Sequence, residues 1–430
     1  DFGLVRELRT LDLRSGQVSL EYGDVASKIQ PETVHIRPIG GSGLQVLEQN
    51  YQFDLLSPEK LLEKYVGRTI NVYRTNPETG EDVAVQAEVL SVNGGPILRI
   101  GDEITFAYPG RFGFPELPDN LIAKPTLLWR LESGGGRQQV EVSYLANSLN
   151  WKADYVMVLN ERDDQAALTG WVTLTNRSGT SYRNARLQLV AGEVRRVAPE
   201  LSPAALRARM LADLVQESTE FTEQGFFEYH LYTLGRPADL LDNEQKQFTL
   251  LEVDRFGVSK RLVLQGTAHY YRGQFGQVAS NQKVGVFLEL VNSERNGLGM
   301  PLPKGVVRVY KRDADGAQQF VGEDAIDHTP RDERLRIRIG EAFDVVGDRR
   351  QTDYDVISGC VSESTWRVDL RNHKDEAVVV QLVEPAGGDW QILASSHPYT
   401  RLDAWTFTLS PEIPARSAVA VEYRVRVRWC

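Results

Sequence analysis

Hydrophobic and polar residues alternate with a period of two over much of the chain, which is the signature of half-buried β-strands. In Val419-Ala-Val-Glu-Tyr-Arg-Val-Arg-Val-Arg-Trp429, one face collects Val419, Val421, Tyr423, Val425, Val427 and Trp429. The other collects Glu422, Arg424, Arg426 and Arg428. Arg334–Ile339 and Val306–Tyr310 repeat the pattern. Strands with one wet face belong to antiparallel sheets, whereas buried parallel strands read as unbroken apolar runs. Turn signals recur between them, at Gly94-Gly95, Gly134-Gly-Gly136, Asp315-Gly316 and Gly387-Gly-Asp389. Many short strands with frequent turns predict a mainly β protein of sandwich type.

Helical signals are few. Ser57-Pro58-Glu59 predicts a helix start, with Ser57 as cap, Pro58 in the first turn and a carboxylate at the positive helix end. Leu61, Leu62 and Tyr65 form its apolar stripe and Gly67 its left-handed exit. Ser202-Pro203 predicts a second helix over 202–218, with Leu206, Met210, Leu211, Leu214 and Val215 on one side. It has no helical neighbour in sequence, so the expectation is that it docks on a sheet, serves as a partner-binding element or forms a mobile insertion.

Three alternating strands end in asparagine: Trp171–Asn176, Val286–Asn292 and Trp366–Asn372. Each is followed by a polar or Pro/Gly turn and a second strand. Asn suits the position because its amide closes an Asx-turn and its backbone tolerates positive φ. The spacings of 116 residues (176 to 292) and 80 residues (292 to 372) are unequal, so this is not a solenoid period. The pattern predicts tandem immunoglobulin-like antiparallel β-sandwich modules with a small α+β insert and one or two short helices. The expected boundaries give an N-terminal β domain over 1–125 with an inserted sub-domain at about 52–115. A β-sandwich over 126–260 carries the helical insertion at 202–218, and a β module over 261–355 and a C-terminal β-sandwich over 356–430 complete the chain.

Composition narrows the function classes. The 430 residues are 41% hydrophobic and 25% charged, the ratio of an ordinary globular protein. Lys and Arg number 49 against 59 Asp and Glu, a net charge of −10. That balance argues against nucleic acid or an anionic lipid surface as general partner. No apolar run approaches the roughly 20 residues of a membrane-spanning helix. The chain starts at Asp1, the kind of start that removal of a signal peptide leaves. Cys360 and Cys430 are the two cysteines. They can close a loop of about 70 residues if the strands beside them are neighbours, and two free thiols is the alternative.

Several stretches resemble a known bacterial family: Ser148-Leu-Asn-Trp-Lys-Ala-Asp-Tyr155, Leu168–Asn176, Ala185–Gly192, Asn296–Gly305, Val309–Gly316, Ile339–Asp344 and Leu370–Glu376. Leu47–Tyr51 and Leu55–Gly67 resemble the N-terminal half of its long members. This is the domain-of-unknown-function family numbered 4139, related to the mucoidy-inhibitor A proteins. The resemblance implies an exported protein, periplasmic, envelope-associated or extracellular. It implies no reaction and carries over no catalytic residue. The 202–218 region varies in the family.

Motifs that carry chemistry are sparse. The six histidines form no metal-spaced pair, so no metal and no cofactor is expected. Glu323, Asp324, Asp327 and His328 fall within six residues, but on an alternating strand they split between faces. Asp313-Ala-Asp-Gly316 begins like a calcium loop without its later ligands and reads as a hairpin turn. Gly40–Gly43 is not a nucleophile elbow, and Asn176-Arg-Ser178 reads as an Asx-turn although it satisfies the glycosylation sequon. Distant carboxylates could form a glycosidase pair, which spacing cannot test. Of the aromatic residues, Trp390, beside Gly387-Gly388, and the turn His397-Pro-Tyr399 are expected to be exposed. Trp390, His397, Tyr399, Glu323, Asp327 and His328 are thus the candidate binding residues. The expected function is a non-enzymatic binding or structural subunit with protein partners or self-assembly. A carbohydrate-active hydrolase or glycan-binding protein is the alternative.

Overall fold

The computed structural model describes residues 2–40, 43–52, 56–75, 80–106, 110–118, 121–122, 124–192, 221–313 and 315–430. The predicted helix over 202–218 lies outside the described residues. The protein is mainly β and its strands pair mostly antiparallel, as the alternation predicts. Contacts divide it into two compact units. One comprises Asp1–Asn150, Leu174–Ala185 and Asp239–Lys246, and the other Trp151–Thr173, Arg186–Ala238 and Gln247–Cys430.

The first unit is built on one long ribbon. Phe2–Tyr22 pairs antiparallel with Thr126–Asn147, in register from Phe2 opposite Asn147 to Tyr22 opposite Leu127. His35–Pro38 and Leu44–Gln52 pair with the other edge of the Thr126–Asn147 strand. Alternate residues of that strand, among them Leu127, Trp129, Leu131, Val140, Val142 and Tyr144, point into one core with Tyr22. A helix Pro58–Lys64 and a five-stranded antiparallel sheet over 69–113 form a smaller body with its own core around Tyr65, Ile70, Val72, Val89 and Leu98. The helix is capped as its sequence predicts, the Ser57 side chain accepting from the Lys60 N–H at 3.2 Å.

The second unit contains the largest sheet. Ten strands run from Ser259 to Arg428, in the spatial order Asp389–Ser395, Ser417–Arg428, Val361–Asn372, Arg334–Ser358, Gln277–Val291, Ser259–Gln265, Val378–Pro385, Thr406–Leu409 and Tyr399–Arg401, with Glu412–Ile413 beside Val378–Pro385. Segments on both sides of residue 356 therefore share one sheet. The sheet folds over a single core in a sandwich-like arrangement, with Leu264, Leu382 and Phe407 packed with Trp366, Val425 and Tyr423. Its two edge strands are consecutive in sequence and meet at the Ser396–Pro398 corner, where the Trp390 and Tyr399 rings lie 6.3 Å apart. Also present among the described residues are a five-stranded sheet (order Glu244–Gly257, Gln165–Asn176, Leu149–Leu159, Gly305–Arg312, Gln318–Ile326), a three-stranded one (order Gln188–Ala191, Tyr229–Leu234, Phe221–Phe226) and a pair of Tyr182–Ala185 with Ala238–Leu240.

The three strand-ending asparagines have the same job. Asn372 is buried; its Nδ2 donates to the carbonyls of Glu376, Ile413 and Pro414, and its Oδ1 accepts from the Lys374 N–H at 3.0 Å. Asn176 repeats this with Thr180, Leu240 and Leu241 as acceptors and the Ser178 N–H as donor. Asn292 donates to Met300 and Pro330 and accepts from Gly299. Each amide satisfies backbone carbonyls around the segment that follows its strand, which is what a buried polar group requires. The sequon at Asn176 is thus a buried turn, as its sequence reading has it.

Candidate functional site

Cys360 and Cys430 form a disulfide with Cα atoms 5.7 Å apart. The strands beside them are neighbours, Val361 pairing with Arg428, so the open alternative of two free thiols is removed.

The candidate residues chosen from the sequence do not converge. Glu323, on the Gln318–Ile326 strand, faces Arg308 at 3.3 Å. Asp324 turns the other way and accepts the Arg338 N–H at 2.7 Å, the split between faces that alternation predicts. Asp327 and His328 are exposed in the turn that follows, where His328 Nδ1 accepts from the Lys304 N–H at 3.2 Å. Among the described residues no group of three potential metal ligands occurs. Asp313 closes the expected hairpin, accepting from the N–H groups of Asp315 and Ala317. Tyr399 is exposed and His397 half-buried. Trp390 is a correction: it is buried, because pairing opposite Val427 turns its ring into the core, where its Nε1 donates to the Ala404 carbonyl at 3.0 Å. The exposed tryptophan of this region is Trp405, at 58%.

Two other places concentrate charge, both in the second unit. The first is inside the C-terminal core. Arg349 and Glu384 are fully buried and form an ion pair. The other Glu384 oxygen accepts from the Tyr271 hydroxyl at 2.8 Å, and the Tyr271 and Tyr423 hydroxyls lie 3.0 Å apart. Burial alone lowers the Arg349 pKa, but Glu384 and the two phenols outweigh it and the guanidinium is held raised. Burial pushes both tyrosines well above their usual value. Among the described residues the Nε and Nη2 of Arg349 have no hydrogen-bond partner, and its guanidinium lies 5.5 Å from the Tyr270 ring centroid. Gly266 makes room for this cluster, since a Cβ there would collide with the Glu384 carboxylate. The cluster is sealed from solvent, so it specifies packing rather than binding.

The second is a groove of about 1140 Å³ on the outward face of the ten-stranded sheet. Four neighbouring strands form its floor: Arg334–Ser358, Gln277–Val291, Ser259–Gln265 and Val378–Pro385. The inward residues of the last strand, Val380 and Leu382, are core, so Val379, Gln381 and Val383 face the groove. The turn at 160–164 walls one end. It is tied by Asn160, whose side chain bonds Asp164 and accepts the Gln165 N–H. Seven Lys and Arg and four Asp and Glu line the groove, a local balance of +3 on a chain whose total is −10. Two of its four acids are each shared between two cations. Asp163 lies 2.6 Å from both Lys260 and Lys311, and Glu289 faces Arg261 at 3.4 Å and Arg336 at 3.6 Å. Burial raises the Asp163 carboxyl, but the two lysine hydrogen bonds outweigh it and hold it below the usual carboxylate range. Arg162 and Arg334 are exposed, and among the described residues neither has an ion pair. Sequence reasoning missed this groove because its lining comes from residues 161 to 410 of the chain.

No protein-family model and no curated protein matches this chain. No helix among the described residues is long and apolar enough to cross a membrane.

Proposed function

We propose that this protein is an exported, non-enzymatic binding or structural subunit of an envelope or extracellular assembly. In this reading it is a member of the family numbered 4139, built from tandem immunoglobulin-like modules. The observation that carries the reading is the charge arrangement of the groove, a net excess of cations on an acidic chain, with Asp163 2.6 Å from both Lys260 and Lys311. Those lysines hold the Asp163 carboxyl below the usual carboxylate range, which suits a binding contact better than a general acid. Clamped acids and unpaired arginines suit a surface that holds a charged partner. The Cys360–Cys430 disulfide supports export, since such bonds persist in oxidising compartments.

The test is incubation of the full chain with cell-wall and exopolysaccharide fragments, followed by product analysis. The expected result is intact fragments with the native chain and with Asp163→Asn alike. Turnover that disappears in Asp163→Asn would overturn the non-enzymatic reading. Export is checked by alkylating thiols in intact cells before lysis: both cysteines should resist modification, and a fully alkylated pair would contradict it.

A further inference from the structure

We propose that the groove on the outward face of the ten-stranded sheet binds an extended acidic peptide segment in which carboxylate and aliphatic side chains alternate. The proposal rests on the binding-subunit reading and names the chemistry of its partner.

The two long sides of the groove differ. The spatial order of the strands puts Arg334 and Arg336 three strands from Val379, with Arg261 between them, and the register sets Val379 level with Arg261 and Arg336 level with Ser259, two residues further along. Leu402 joins the aliphatic side, and it and Val379 are 60% and 53% exposed. Three inter-strand steps separate the sides, about 14 Å at ~4.8 Å per step. That width admits one extended chain with side chains reaching both ways. Successive side chains of an extended backbone point to opposite sides. A segment that alternates acid and aliphatic residues therefore offers its carboxylates to the arginines and its methyl groups to Val379 and Leu402.

Charge sets the sign of the ligand. Each of Asp163 and Glu289 is already shared between two cations. The unpaired Arg162 and Arg334 thus leave the cavity attractive to anions within an acidic molecule. The lining residues include no aromatic ring on which a sugar face would stack, and the exposed aliphatic side has no use for a bare phosphate. The Val378–Pro385 strand is paired on both edges, so recognition works through side chains rather than strand addition.

The test is fluorescence anisotropy with the full chain and a fluorescein-labelled ten-residue peptide of alternating Glu and Val. Expected are saturable binding, a loss of about tenfold in affinity between 20 and 300 mM salt from screening, and a loss of about tenfold in the double variant Arg162→Glu/Arg334→Glu. Leu402→Asp should weaken binding several-fold. Arg416→Glu, whose residue lies outside the groove, should bind as the native chain does, and far-UV circular dichroism confirms that each variant is folded. The proposal is overturned if the alternating Lys/Val peptide binds equally well, or if the double variant binds unchanged. It is also overturned if an oligouronate displaces the labelled peptide at lower concentration than the unlabelled peptide does. These outcomes leave the non-enzymatic reading standing, because that reading falls only on turnover.

Discussion

Replacing Glu384 by Gln removes the counter-charge of a guanidinium that has no access to water. Arg349 and Glu384 are both 0% exposed, and two nitrogens of Arg349 already lack partners. Breaking a buried ion pair from one side costs roughly 3–5 kcal/mol, because it strands the remaining charge. Glu384→Gln also exchanges the charged acceptor of the Tyr271 hydroxyl for a neutral one, at about 1 kcal/mol. Removing both charges together, as Arg349→Met/Glu384→Leu, strands no charge and leaves only one phenol hydrogen without an acceptor. Tyr271 and Tyr423 still have each other at 3.0 Å, so the double variant should lie within about 2 kcal/mol of the native protein. The assay is urea unfolding followed by tryptophan fluorescence, since Trp366 packs 5.8 Å from Tyr271 and reports on this core. The midpoint should fall strongly for the single variant and recover in the double, with m unchanged. A single variant within 1 kcal/mol of native, or a double variant as unstable as the single one, would refute the argument that desolvated charge dominates here.

Asn372→Ala leaves the Glu376, Ile413 and Pro414 carbonyls without their shared donor and should cost about 3 kcal/mol, from one to several unmet buried groups; equilibrium unfolding checks it, and a change below 1 kcal/mol would sink it. Reducing Cys360–Cys430, or changing both to Ser, opens a 70-residue loop and should cost about 4 kcal/mol on the chain-entropy argument, read as a lowered Tm in the same buffer. Stability should be greatest at mid pH. Glu363 is held below its usual value by hydrogen bonds from Arg426 and Arg424, and Asp348 by those from Arg371 and the Asn281 N–H. Their contribution is present above the unfolded carboxylate pKa near 4 and is lost as pH falls through the lower folded values. Tyr271 and Tyr423 are raised, so their contribution is present below about pH 10 and is lost as pH rises toward the folded values. A Tm that climbs steadily through either limit would contradict the assignment. Gly266→Ala should destabilise as Glu384→Gln does, by pushing the same carboxylate out of its place.

The strands were legible because period two survives wherever one face is buried, and the Ser57 cap and the three asparagines were legible because their chemistry is local. Trp390 was misread for the converse reason. Its neighbours Gly387 and Gly388 suggest a surface loop, while its burial is set by Val427, which only the sheet register brings opposite. The buried pair left a signal that could have been read. Arg349 shares parity with the buried Val345 and Gln351, and Glu384 with Val380 and Leu382, so each is a charge on an apolar face. The groove left none. Arg162, Arg334, Val379 and Leu402 lie in separate segments of the chain, and only the folded sheet places them around one space.

We propose that this protein works by holding a partner in that groove. The direct measurement is site-specific photo-crosslinking from position 402 in the protein's native cells, with the Arg162→Glu/Arg334→Glu variant alongside. A discrete protein adduct, attached through an acidic segment and lost in the double variant, is expected. An adduct of undiminished yield in the double variant, or an adduct to glycan instead of protein, would contradict it.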